Sequence, residues 1–158
     1  YFCPIIIKSN NMRQLILVFL LGISFQIFAQ SSKHLNLEDG KAIQGYDPVA
    51  YFSNKAVKGN KQTSFNYRGA VYYFSSEANQ QKFKANPSKY EPQYGGWCAF
   101  AMGDYGKKVE IDPETFKIVD GKLYLFYNAY FNNTLKSWNK DEKNLKAKAD
   151  KNWSTLIK

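Results

Sequence analysis

Twice in this chain two β-prone apolar runs are separated by only two residues, the second of them glycine. Ser64-Phe-Asn-Tyr67 and Ala70-Val-Tyr-Tyr-Phe74 flank Arg68-Gly69, and Phe116-Lys-Ile-Val119 and Lys122-Leu-Tyr-Leu-Phe-Tyr127 flank Asp120-Gly121. A mirror-type two-residue loop needs positive φ at both central positions, which glycine adopts freely, so each segment is expected to fold back on itself as a hairpin. Lys107-Lys-Val-Glu-Ile111, ahead of the turn-like Asp112-Pro-Glu-Thr115, is read as a further strand of the second group.

Helix signals fill the gaps. Ser75 and Ser76 can cap a run to Asn86 with Glu77 in its first turn, Pro87 stops it, and Asn86-Pro87 opens a short turn carrying Tyr90. Asp47-Pro48 suits a helical first turn better than a strand, because proline lacks the N–H a ladder needs. Trp97 with Ala101, and Cys98 with Met102, fall at i and i+4, which favours a helix after Gly95-Gly96. Asn132-Asn133-Thr134 caps a terminal helix in which Leu135, Trp138, Leu145, Ala149, Trp153 and Leu156 form one stripe, with a break near Asn139-Lys140-Asp141. At 158 residues and 17% Phe, Tyr and Trp the chain closes a single core. The expected fold is α+β: a small antiparallel β-sheet with short helices and a C-terminal amphipathic helix.

Met12-Arg13 followed by an apolar run from Leu15 to Phe25 and then Ala29 has the form of a secretory signal peptide over residues 12–29, too short to span a bilayer comfortably. Residues 1–11 precede Met12 and are read as lying upstream of the initiator. Residues 30–41 are polar and expected to be a flexible segment, which leaves 42–158 as the domain. The expectation is a periplasmic or secreted protein with no stable membrane span after signal cleavage. Processing would take Lys8 and Arg13 from the 22 basic residues and none of the 13 acidic ones, so the net charge of +9 stays strongly positive. An exported basic protein rarely meets nucleic acid, so anionic envelope surfaces or an envelope or metal-handling partner are expected instead.

Little in the sequence carries chemistry. The single histidine, His34, lies in the polar start, so no histidine-based hydrolytic set and no histidine cage can be assembled in the domain. With Cys3 ahead of the cleavage point, Cys98 is alone and has no intramolecular disulfide partner. Three readings stand: a buried small apolar residue, a redox or nucleophilic catalytic thiol, or a soft-metal ligand. Cys98 and Met102 have the softness and helical spacing for Cu(I), a set that His34 or a partner would have to complete. A cleft lined by Tyr46, Asp47, Tyr51, Tyr72, Tyr94 and Trp97 is the candidate small-molecule pocket, against the alternative that the rings are simply buried.

Taken together, Gly45-Tyr-Asp-Pro-Val-Ala-Tyr-Phe52, Tyr67-Arg-Gly69, Tyr72-Tyr-Phe-Ser-Ser76, Asn86-Pro-Ser-Lys-Tyr90, Pro92-Gln-Tyr-Gly-Gly-Trp-Cys-Ala99 and Asp120-Gly-Lys-Leu-Tyr-Leu125 resemble the YHS domain family, in particular its exported single-domain bacterial branch. The resemblance implies metal binding, with copper as the cofactor, by analogy with relatives in copper-transporting ATPases. Those relatives carry cysteines where this chain has Ala50, Ser75 and Asn79, so that thiolate set does not carry over. What carries over is Gly-Gly-x-Cys, where exported relatives keep a cysteine and some a selenocysteine. This puts the expected function, a soft-metal or thiol-redox module, on Cys98; a cysteine-dependent enzyme and a structural or partner-binding module are the alternatives.

Overall fold

A computed structural model describes residues 32–158. The signal-peptide reading of 12–29 and the upstream reading of 1–11 lie outside the described residues. The chain begins with two short strands, β1 (Leu37–Glu38) and β2 (Lys41–Ala42), and a tight 3-10 turn at Ile43–Gly45. A second 3-10 turn, Ala50–Ser53, leads into β3 (Asn60–Tyr67) and β4 (Ala70–Phe74). Helices α1 (Glu77–Ala85) and α2 (Pro87–Tyr90), a 3-10 turn at Gln93–Gly96 and helix α3 (Ala99–Tyr105) follow. Then come β5 (Asp112–Val119), β6 (Lys122–Phe126), β7 (Asn128–Ala129), β8 (Asn132–Asn133), α4 (Thr134–Trp138) and α5 (Glu142–Leu156).

Both expected hairpins form, with both loop residues left-handed: Arg68 at φ 50° and Gly69 at 78°, Asp120 at 51° and Gly121 at 69°. Ser76 caps α1 by accepting from the Asn79 N–H, and Asn133 caps α4 by accepting from Leu135. The terminal helix breaks between Trp138 and Glu142, as the polar triplet there implies. The first sheet has the order β1-β2-β4-β3 and is antiparallel except for one parallel rung, Lys41 beside Val71. The β5-β6 and β7-β8 pairs stand separately.

Three expectations are corrected. Lys107–Ile111 is not a strand, because its carbonyls are spent elsewhere: Val109 accepts from the Cys98 N–H at 3.0 Å and Ile111 from the Gln44 side chain at 3.0 Å. The strand starts instead at Asp112 and runs through Pro113, which sits in a bulge between the Asp112–Phe126 and Phe116–Leu125 rungs, where no proline N–H is needed. The helix after Gly95-Gly96 starts only at Ala99; Trp97 is still extended, so it shares no helix face with Ala101. Thirdly, the segment expected to be flexible is tied down from Leu35. The Asn36 N–H donates to the Gly95 carbonyl at 2.8 Å, and Leu35 and Leu37 pack on the core. That docking needs glycine at 95, where a Cβ would lie 2.8 Å from the His34 carbonyl oxygen.

Strand β6 explains how so small a domain buries so many rings. Leu123 and Leu125 point into a cluster built on Phe83, Tyr72, Phe74 and Tyr51, while Tyr124 and Phe126 point the other way into a cluster built on Trp138, Met102, Leu145 and Ala149. A strand alternates faces with period two, and here both faces are covered. Each fully buried large side chain contributes about 1.5–3 kcal/mol.

Candidate functional site

Cys98 occupies the position just before α3 and is 0% exposed. Its sulfur is held from the far side of the domain by the two ends of the β7-β8 hairpin. The Tyr127 N–H donates to Sγ at 3.3 Å, and Thr134 Oγ1 lies 3.4 Å from Sγ. Thr134 also bonds the Tyr127 carbonyl at 2.8 Å, and since a carbonyl only accepts, the hydroxyl proton is committed there. The contact between Thr134 and Cys98 is then one in which the S–H donates, closing a ring from Tyr127 N–H to sulfur, sulfur to Thr134, and Thr134 to Tyr127 C=O. The neutral thiol fits this ring with every group used. Sequence reasoning missed Tyr127 and Thr134, which lie 29 and 36 residues from Cys98 and carry no motif.

The other two proposed soft ligands, Met102 and His34, have neighbours of their own. Met102 is 0% exposed, in the Trp138 cluster, whereas Cys98 packs in the Phe83 cluster. The His34 ring stands edge-on to Trp153 with Nδ1 3.5 Å from the Lys108 ammonium, a neighbour that repels any cation. Burial, Lys108 and Lys33, in that order, hold its pKa below the usual 6.5. No group of three His, Cys, Asp or Glu side chains able to hold a metal ion occurs among the described residues.

Of the six residues expected to line a pocket, all but Tyr72 make side-chain hydrogen bonds. The Tyr51 hydroxyl donates to the Pro113 carbonyl at 2.7 Å, Tyr46 to Glu114 at 3.0 Å, and Tyr94 to Asp150 at 2.9 Å. Burial pushes the hydroxyls of Tyr51, Tyr72 and Tyr94 well above their ordinary range, so they remain protonated. Trp97 is half-buried, donates Nε1 to the His34 carbonyl at 2.8 Å and lies under Lys108, whose Nζ is 5.6 Å from the ring centre.

Asp47 is the exception in kind, a carboxylate with 0% exposure. Its Oδ1 accepts from the N–H groups of Val49 at 2.9 Å and Ala50 at 3.3 Å, which start the 3-10 turn. Its Oδ2 accepts from Ser75 N–H at 2.8 Å, Ser75 Oγ at 2.6 Å and Asn79 Nδ2 at 2.7 Å. Ala50, Ser75 and Asn79, the positions at which the resemblance implied thiolates in other members, therefore converge on one carboxylate. Here Ala50 donates its backbone N–H, Ser75 its N–H and hydroxyl, and Asn79 its side-chain amide to Asp47. A soft metal has no sulfur to bind at this centre and would have to displace a satisfied hydrogen-bond cage, so the residues present do not fit copper.

Residues 49–94 match the family model of the YHS domain. No curated protein and no solved structure matches the chain. The matched span contains the Asp47-facing residues Ala50, Ser75 and Asn79 and ends before Cys98.

Proposed function

We propose that this chain, whose residues 49–94 match the YHS family model and whose Asp47 centre is a hydrogen-bonded cage without sulfur, is an exported binding module of the cell envelope that holds no resident metal. Cys98 serves in it as an internal tie between α3 and the β7-β8 hairpin. The observation that carries this reading is the closed ring of Cys98, Thr134 and Tyr127 around a thiol with no exposure. A thiol-redox role for Cys98 is the second reading. What favours it is that Tyr127 and Thr134, the two residues that cover the sulfur, belong to the ends of one short hairpin, so a single local opening would uncover it.

Alkylation of Cys98 in a Cys3→Ser background, with Cys3→Ser/Cys98→Ser as blank, tests both. A buried tie reacts at least about 10³-fold more slowly in the native protein than in denaturant, and cuprous ion gives no stoichiometric protection. Native alkylation within a factor of ten of the unfolded rate establishes an available thiol and refutes the tie. One equivalent of Cu(I) held in a Cys98-dependent manner refutes the metal-free module.

A further inference from the structure

The hairpin that closes over Cys98 ends in an anomaly. Asn128 pairs with Asn133 and Ala129 with Asn132, leaving Tyr130-Phe131 as a two-residue loop with φ of 50° and 64°. The loops at Asp39-Gly40, Arg68-Gly69 and Asp120-Gly121 place glycine second, where a left-handed backbone is free of strain. Here a phenylalanine stands in that position behind a tyrosine, and both side chains point into solvent, 91% exposed for Tyr130 and 113% for Phe131. Strained backbone presenting bare rings on a firmly held base is a feature that stability does not explain. The base is held by Thr134, whose N–H and hydroxyl both donate to the Tyr127 carbonyl, and by Asn128, whose amide reaches Asp112 at 3.2 Å and Thr115 at 3.0 Å.

We propose that the Tyr130-Phe131 turn is a docking tip for an anionic lipid bilayer surface. Two rings offer too little area for a stable protein interface, which buries upwards of about 1,200 Å² in total, but they suit shallow insertion among headgroups, with the tyrosine hydroxyl at the wet level. Charge points the same way. The chain as a whole has a net charge of +9, and Lys136, in the helix that follows the hairpin, is exposed. Asp112 is the acidic residue at the base of the hairpin, where its carboxylate accepts from the Glu114 N–H, Thr115 and Asn128. No helix among the described residues is long and apolar enough to cross a membrane. This inference does not depend on the role of Cys98.

The test compares the wild-type chain with Tyr130→Asn/Phe131→Gly, which installs the favoured residues of this turn. The rest of the chain, including the apolar run near its start, is identical in both. Co-sedimentation with vesicles of phosphatidylglycerol and phosphatidylcholine in equal parts is expected to weaken about tenfold or more in the variant, while its thermal midpoint is unchanged or higher. A Phe131→Trp probe should gain fluorescence that brominated lipid quenches, and binding to pure phosphatidylcholine should be weaker. Equal partition of variant and wild type, an unquenched probe, or full competition by soluble polyphosphate without loss in the variant overturns the proposal. So does a wild-type dimer that the variant abolishes, since the occupant is then a second copy of the chain.

Discussion

Replacing Asp47 should reveal whether its cage is an anchor or a ligand site, because the two roles give opposite outcomes. In Asp47→Ala all five hydrogen bonds to the carboxylate go. Ser75 Oγ and Asn79 Nδ2 lie on residues near the surface and can turn to water, and the Ala50 N–H keeps a bond to the Asp47 carbonyl at 3.2 Å. The N–H groups of Val49 and Ser75 are left without their partner. Two stranded donors at about 1–3 kcal/mol each put the loss at about 2–6 kcal/mol. Asp47→Asn keeps one oxygen for Val49 but turns an NH2 toward the Ser75 N–H, so it should lose about 1–3 kcal/mol. Urea denaturation reads the order directly as a fall in midpoint at constant slope. A loss below about 1 kcal/mol for the alanine variant, or an asparagine variant as stable as wild type, refutes the cage as an anchor.

Two further outcomes follow from the packing of α3 and the start of the chain. Gly103 faces α5 so closely that a Cβ would lie 2.5 Å from the Leu145 carbonyl oxygen, so Gly103→Ala must push the helices apart and should destabilise by about 1–3 kcal/mol in the same assay; an unchanged midpoint would contradict the close crossing. His34, with its pKa held below 6.5, binds fewer protons folded than unfolded as pH falls through that region, so its contribution to stability is full above pH 6.5 and lost as pH falls through the folded value. Imidazole NMR titration should show a midpoint under 6.5 that rises in Lys108→Ala, together with lower amide protection factors at Leu35 and Asn36 in acid; a midpoint at or above 6.5 removes the argument.

The parts of the fold set by neighbours in sequence were legible there. Arg68-Gly69 and Asp120-Gly121 announced their hairpins, Ser76 and Asn133 their helices, and the stripe from Leu135 to Leu156 its buried face. What was not legible depends on partners far along the chain. Val109 and Ile111 have strand character, yet their carbonyls go to Cys98 and Gln44, and no local pattern records that. The same holds at the candidate centres. Cys98 stands out as a residue, but whether it reacts is decided by Tyr127 and Thr134, and a tyrosine and a threonine have no signature. Asp47 was singled out with a pocket of aromatic residues; the structure makes it the acceptor for positions 50, 75 and 79, a convergence that the spacing alone cannot reveal.

The ring around Cys98 has a consequence for the life of the molecule rather than for its native state. Its two hydrogen-bond partners come from later in the chain, so the thiol lacks them until the last fifth of the sequence has been made and has docked. An oxidant in the surroundings meets this sulfur most readily during that interval, and each encounter competes with the speed of docking. Damage should therefore be a record of slow maturation: chains carrying an oxidised Cys98 are those that folded late, and mutations that slow the docking of β7, β8 and α4 should raise that fraction even where they leave the finished structure as stable as before.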